Sequence, residues 1–157
     1  MLLADFLEPS TIVYEQRILT REQVYKDIIN RIYQLRPDIE PKCGETLLES
    51  ILEREKEAPM VYPSGIAIPH IRLEGLADTL IGMTFLQNPL NYDGIKVDWI
   101  VMIFTDKTSS KIYLNIVSAL LKISEDEEMM TQLRSFNNGI EVINYLRQCK
   151  IKVGQEL

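Results

Sequence analysis

Histidine and cysteine are scarce in this chain. Its 157 residues include one histidine, His70, and two cysteines, Cys43 and Cys149. A zinc site would need nearly all three together with carboxylates, and the two cysteines do not have C-x-x-C spacing. Any Ser-His-Asp or Cys-His arrangement would have to use His70. The sequence therefore predicts no metal and no cofactor.

The chain also has no excess of basic residues and no hydrophobic run of membrane-spanning length. Its 17 Lys+Arg against 23 Asp+Glu give a net charge of −6, whereas proteins that bind nucleic acid usually carry a basic patch. The most apolar stretch, Trp99–Phe104, is far shorter than the roughly 20 residues of a membrane span. The N-terminus has no basic region of the kind that opens a signal peptide. We therefore expect no nucleic acid partner, no membrane insertion and a reducing, cytoplasmic location.

The length and the periodicity of apolar residues predict one domain, residues 1–157, with helices near both ends. Thr20–Gln23 has the form of a capping box, and Pro37 stops the helical pattern that follows it. A second helix is predicted from about Gly44 to Lys56. Further helices are predicted after Asp106: one capped by Ser109 or Ser110, one over Glu127–Leu133, and one that begins at Asn138-Gly139.

Strand patterns occur mainly in the middle of the chain. Thr11–Tyr14 reads as a brief strand, and Gly65–His70 reads as a buried strand that stops just before the histidine. The two strongest patterns are Thr79–Leu86 and Ile95–Phe104, with turn residues between them at Asn88-Pro89, Asn91 and Asp93-Gly94. Strands grouped between helices favour an α/β fold: a single-domain α/β/α sandwich whose mixed parallel/antiparallel sheet is flanked by helices.

Every nucleophilic arrangement that this sequence allows would use His70, because an imidazole titrates near neutral pH and the chain has no other. In Ser64–Arg72 it follows a short strand, and ligand sites in α/β sheets tend to lie at strand ends. Pro69 has a fixed φ and biases Ile68 toward an extended conformation. The alternative is a partly exposed histidine at a strand end with no task.

The segment Gly65-Ile-Ala-Ile-Pro-His70, preceded by Arg54-Glu55-Lys56, resembles the signature of enzyme IIA domains of the bacterial sugar phosphotransferase system. The branch is the fructose/mannitol type, which includes the nitrogen-regulatory IIA proteins, and the resemblance extends over nearly the whole chain. It implies that His70 accepts a phosphoryl group from the phosphocarrier HPr and passes it to a IIB domain or uses it as a signal.

The same resemblance assigns supporting residues and shows two departures. It implies that Arg54 contacts the phosphoryl group, for which a planar guanidinium is suited; the alternative is a solvated charge at a helix end. Apart from the resemblance, Arg72, two residues past the histidine, is a weaker candidate whose alternative is an ordinary surface residue, and Ser64 is a further candidate supporting residue. Relatives commonly have a hydroxyl residue where this chain has Pro59-Met60, and many have a second histidine where it has Tyr113. A phenol donates one hydrogen bond but stays neutral below a pKa of about 10, and Tyr113 is alternatively an ordinary aromatic on a helix face.

Three functions remain open from the sequence. The first is a free-standing phosphoryl carrier between HPr, or an HPr-like protein, and a IIB domain. The second is a regulatory module of the nitrogen-IIA type, whose phosphorylation state controls protein partners. The third is a degenerate interaction domain in which Met60 and Tyr113 have abolished transfer.

Overall fold

The computed structural model of the chain describes residues 1–39 and 44–154. Cys43, weighed above as a metal ligand, lies outside the described residues. Two short 3-10 turns, Leu3–Phe6 and Pro9–Thr11, open the chain. The strands and helices that follow are β1 (Ile12–Glu15), α1 (Arg21–Leu35), α2 (Gly44–Glu57), β2 (Ile66–Ala67), β3 (His70–Arg72), β4 (Leu80–Tyr92), β5 (Ile95–Thr105), α3 (Ser110–Glu125), α4 (Glu127–Ser135) and α5 (Gly139–Gln148).

The strands form one mixed sheet in which β5 has neighbours on both sides. β4 pairs with β5 in an antiparallel hairpin, and β1 pairs in parallel with β4. On the other side of β5, β2 and β3 both pair with it in parallel, with Ile66 opposite Trp99 and His70 opposite Ile103. Parallel pairing brings the carboxyl ends of β3 and β5 to the same edge of the sheet.

Alternate side chains of the strands point into two cores, one on each face of the sheet. One core packs α1 and α2 against one face, and the other packs α3, α4 and α5 against the opposite face. The first contains Ile28, Ile32, Ile51, Ile71, Ile100, Met102 and Phe104. The second contains Ile66, Ile68, Trp99, Val101, Ile103, Ile116 and Leu146. The predicted α/β/α sandwich with a mixed sheet is confirmed.

The helix boundaries follow the capping residues. The Thr20 side chain accepts a hydrogen bond from the Gln23 N–H, and the Gln23 side chain accepts one from the Thr20 N–H, so the predicted capping box is confirmed. Asn138 caps α5 by accepting from the Glu141 N–H. Ser109 stands at the N-cap of α3 but makes no side-chain capping bond.

The β4–β5 hairpin is longer than the sequence predicts. β4 continues through Asn88 and Pro89 to Tyr92, so the prediction of a turn at Asn88-Pro89 and Asn91 is wrong. The register shifts between Phe85 and Leu90, and a proline is tolerated in a strand at such an irregularity. The turn is made by Asp93 and Gly94, both with positive φ, as tight hairpins require.

Candidate functional site

His70 is the first residue of a strand rather than the residue after one, so the predicted boundary is wrong. The extended segment is interrupted at Ile68-Pro69 and resumes at His70. Pro69 has no N–H to donate, but its carbonyl still accepts a hydrogen bond from the Ile103 N–H at 3.0 Å. The Ile68 N–H donates to the Met60 carbonyl at 2.8 Å. Backbone hydrogen bonds therefore hold both residues of the interruption that leads into His70.

The His70 imidazole is enclosed by one hydrogen bond and one ring contact. Its Nε2 lies 2.7 Å from the Thr105 hydroxyl oxygen. Its face stacks on the Tyr113 ring, with the two centroids 3.7 Å apart and the planes inclined by 10°. His70 is 3% exposed, so the idea of a partly exposed imidazole is wrong.

This enclosure keeps the imidazole neutral. Burial is the largest cause that lowers the pKa of His70 from its ordinary 6.5 to about 4, and the positive charges of Arg54 and Arg72 lower it further. A neutral ring has one N–H and one lone pair. When the Nε2–H donates to Thr105, the lone pair is on Nδ1, which has no hydrogen-bond partner among the described residues.

Arg54 comes to the site from the opposite face of the sheet. It lies in the last turn of α2, and its Nη1 donates to the His70 carbonyl at 3.3 Å. Its side chain is half-buried, so it is not simply a solvated charge at a helix end. Arg72 is exposed at the end of β3, two residues beyond the imidazole. Two guanidinium groups thus place positive charge near a neutral imidazole.

Tyr113 lies in the first turn of α3, on the side of the sheet that the imidazole faces. It is partly buried, and burial is the largest cause that raises the pKa of its phenol. The hydroxyl is therefore neutral at physiological pH, as the sequence implies. The contact with His70 is made by the ring face.

Ser64 lies elsewhere. Its hydroxyl is 2.7 Å from that of Ser124, near the C-terminal end of α3. The first turn of α3, which contacts His70, is 11 residues earlier, or about 16 Å along a helix axis. The structure brings His70, Arg54 and Tyr113 together but does not bring Ser64 to them.

Thr105 is the site residue that the sequence reasoning missed. In the sequence it is only the polar residue that ends an apolar run. The signal for it is topological: if β3 and β5 are parallel neighbours, their ends meet at the same edge of the sheet. Asp106, the next residue, accepts from the Gly75 N–H and the Thr108 hydroxyl and so holds the adjacent loops.

Neither a metal centre nor a membrane helix is found in the part of the chain that the structure describes. In residues 1–39 and 44–154, no group of three or more His, Cys, Asp and Glu side chains is placed to hold a metal ion. Over the same residues no helix has the length and apolar character needed to cross a bilayer.

The family is shown by a match over most of the chain. Residues 5–149 match the family model described as phosphoenolpyruvate-dependent sugar phosphotransferase system, EIIA 2. The chain belongs to this family, whose phosphoryl-carrier chemistry is consistent with the arrangement around His70.

Individual relatives come from two branches. The nitrogen regulatory protein of Pseudomonas aeruginosa is 24% identical over 119 residues, which cover 74% of this chain and 75% of the relative. The crystal structure of the nitrogen regulatory protein IIA-Ntr from Neisseria meningitidis has a TM-score of 0.73 at 18% identity, covering 92% of this chain and 98% of that one. Enzyme IIA-mannitol of Escherichia coli, solved in complex with phosphorylated enzyme IIB-mannitol, has a TM-score of 0.68 at 16% identity, covering 90% and 97%.

Proposed function

We propose that this protein is a phosphoryl carrier that accepts a phosphoryl group from HPr, or from an HPr-like phosphocarrier, on His70. The observation that carries the proposal is a neutral imidazole whose ring orientation is set by Thr105, next to the Arg54 guanidinium. A nucleophile at phosphorus needs a free lone pair, and the depressed pKa of His70 keeps that lone pair available at neutral pH.

The transfer exchanges one bond to phosphorus for another. The lone pair of the imidazole attacks phosphorus, and the bond between phosphorus and the donor breaks with its electron pair returning to the donor. The ring keeps the N–H on its other nitrogen. As the ring gains positive character, its hydrogen bond to the Thr105 hydroxyl becomes charge-assisted and stronger.

Arg54 supplies charge stabilisation in this proposal. Phosphoryl transfer depends mainly on positioning and on neutralising the charge on the equatorial oxygens. A guanidinium can give a phosphoryl group two parallel N–H bonds, and Nη1 of Arg54 already lies at the backbone of the acceptor residue. Arg72 adds positive charge from the open end of β3.

Two destinations for the phosphoryl group are consistent with the family. The first is a IIB domain, because enzyme IIA-mannitol of similar fold was solved with phosphorylated enzyme IIB-mannitol. The second is regulation, in which phosphorylation of His70 changes the affinity for a protein target, because the Pseudomonas relative is a nitrogen regulatory protein. In both we propose a cytoplasmic setting with no nucleic acid partner and no cofactor.

Phosphorylation with purified components tests the proposal. Incubation with enzyme I, HPr and phosphoenolpyruvate is expected to add one acid-labile phosphate per chain, and His70→Ala is expected to abolish it. Arg54→Ala is expected to slow incorporation while leaving the circular dichroism spectrum unchanged. No incorporation with HPr proteins from several bacteria would reject the carrier role and favour the degenerate interaction domain.

A IIB acceptor assay separates the two destinations. The phosphorylated protein is mixed with purified IIB proteins, and loss of phosphate from His70 is followed with time. Onward transfer within seconds supports the carrier between HPr and IIB. A stable phosphoprotein that binds a target differently from the unphosphorylated form supports regulation.

A further inference from the structure

A buried polar network lies behind Arg54, on the side of α2 that faces α1. The Glu55 carboxylate is its centre, with a side chain that is 7% exposed. Its Oε2 accepts from Nη1 of Arg21 at 2.9 Å, and its Oε1 accepts from the Tyr25 hydroxyl. Arg21 and Tyr25 both belong to the first half of α1, so two bonds tie the end of α2 to one stretch of α1.

The network continues into the sheet. The Tyr25 hydroxyl is 2.7 Å from that of Tyr92, the last residue of β4. The Arg21 guanidinium lies over the Tyr92 ring, 3.7 Å from its centroid, where the ring quadrupole attracts a cation. Tyr25 and Tyr92 are both buried, and burial raises the pKa of each phenol. Both phenols therefore stay protonated and able to donate.

The apolar face of α2 is only partly buried. Among its described residues, Ile51 is the one fully buried apolar side chain, whereas Leu47, Leu48 and Leu52 are only partly buried. A buried carboxylate that loses its partners is costly, because the charge has then lost both water and compensation. Rotating or sliding α2 would break both Glu55 bonds, so the network opposes such movements.

Arg54 directly precedes Glu55 on α2, so the bonds that hold Glu55 against α1 also fix the direction of the Arg54 side chain. Consecutive helical residues differ by about 100° around the axis and about 1.5 Å along it. With Glu55 held against α1, Arg54 points toward β3 and its Nη1 contacts the His70 carbonyl at 3.3 Å. A helix rotation of about 20° would move a side-chain atom about 6 Å from the axis by about 2 Å. A misplacement of that size is enough to impair a group that must meet a transition state.

We propose that Glu55 is a positioning residue, which acts with Arg21 and Tyr25 to hold α2 so that Arg54 is set at the backbone of His70. The role in transfer rests on the proposed function, but the geometric coupling between Glu55 and Arg54 does not.

The kinetic test is a double-mutant cycle on the rate of phosphorylation by phosphorylated HPr. Glu55→Gln is expected to slow the reaction about tenfold, since a displacement of about 1 Å can cost up to about a hundredfold. In a chain that already carries Arg54→Ala, Glu55→Gln is expected to change the rate less than about twofold, because there is no guanidinium left to position. The proposal is wrong if the rate reductions of the two single variants multiply in the double variant. It is also wrong if Glu55→Gln reacts at the wild-type rate.

A matched control comes from the same helix. The Glu53 side chain is 71% exposed and contacts Lys56. Glu53→Gln therefore removes the same charge from α2 without touching the network, and we expect the wild-type rate. If Glu55→Gln does not fold, as judged by circular dichroism, Tyr25→Phe takes its place. That variant removes one of the two hydrogen bonds to the Glu55 carboxylate. We expect it to slow phosphorylation less than Glu55→Gln does, and to have no effect on the rate in a chain that carries Arg54→Ala.

A second readout does not depend on phosphate transfer. His70 is the one histidine, so its pKa can be read from an NMR titration without assignment of other imidazoles. The Arg54 charge is one cause that lowers this pKa, so Glu55→Gln and Arg54→Ala should each raise it, and the double variant should raise it no further. If wild type takes up no phosphate but this coupling is present, the proposed function fails and the positioning role stands. If phosphate is taken up but the His70 pKa is unchanged by Glu55→Gln, the positioning role fails alone.

Discussion

The His70 imidazole has two neighbours that contact different parts of the ring. Thr105 contacts the edge at Nε2, and Tyr113 covers one face. Lone pairs on ring nitrogens lie in the ring plane, so a phenol stacked on the ring face does not lie across them. It does exclude water, which lowers the pKa of the imidazole.

Replacing Tyr113 tests whether its ring keeps water from the face of the His70 imidazole. Tyr113→Ala is expected to raise the pKa of His70 from about 4 toward its ordinary value, because water reaches the exposed ring face and stabilises the charged form. NMR titration of the single imidazole measures the change. Tyr113→Phe keeps the stacked ring and should leave the pKa close to that of wild type. An unchanged pKa in the alanine variant would show that the Tyr113 ring does not keep water from His70.

His70 was a candidate from the sequence because the chain offers no other imidazole and because Pro69 and the preceding strand are local features. Thr105 was not recognisable, since it lies 35 positions from His70 and meets it only through the pairing of β3 with β5. The contact of Arg54 with the His70 carbonyl spans 16 positions and two elements. Local periodicity carries no information about which strand edge such side chains reach.

At the scale of elements, α1 packs unusually close to β4. A Cβ placed on Gly82 would lie 2.6 Å from Cγ2 of Ile28, closer than atoms of packed side chains approach. The side chains of α1 occupy the space above this glycine. Farther along β4, α1 contacts the strand again where the Tyr25 hydroxyl meets that of Tyr92.

Gly82→Ala is therefore expected to destabilise the protein by about 1–3 kcal/mol, the usual cost of overpacking a core. Denaturant unfolding, followed by the fluorescence of the single tryptophan, Trp99, measures the free energy of unfolding. Ser118→Ala on an exposed part of α3 is the control and should stay within about 0.5 kcal/mol of wild type. A Gly82→Ala variant as stable as wild type would mean that α1 can move away from β4 without cost.

Most helices and strands could be predicted from the sequence, and the wrong predictions concern features that depend on a partner strand. The capping box at Thr20 and the run over Ile95–Phe104 depend on neighbours in sequence, and both predictions are confirmed. The passage of β4 through Pro89 and the interruption at Ile68-Pro69 depend on partner strands. A proline ends a strand or sits within one according to whether the adjacent strand requires its N–H.

For the whole molecule, burial of a neutral histidine makes stability depend on pH. The unfolded chain binds a proton on His70 below its ordinary pKa of 6.5, while the folded chain resists protonation down to about 4. The unfolded state therefore holds more protons between these values, and the free energy of unfolding falls as the pH falls through this window. Above a pH of 6.5 the imidazole is neutral in both states and this dependence is absent.

Denaturant unfolding at several pH values measures the sign and the size of this change in the free energy of unfolding. Each pH unit in the window is expected to cost about 1.4 kcal/mol at most, or about 2 kcal/mol between pH 6.5 and about pH 5, where most carboxylates are still ionised. His70→Gln is the control, because its unfolding free energy should be nearly flat over the same range. A wild-type curve that is equally flat would show that the imidazole is not buried in the folded protein.

The sequence by itself indicated most of the helical and extended segments, the fold class that they form and the one imidazole that the chain offers. These follow from periodicity, from capping residues and from the presence of one histidine, all of which are local properties or simple counts. The tertiary structure decided that His70 is buried, that Thr105 holds its ring, and that Arg54 reaches it while Glu55 is anchored to α1. Those contacts join residues far apart in the chain, and they exist only once the strands have paired and the helices have packed on both faces of the sheet.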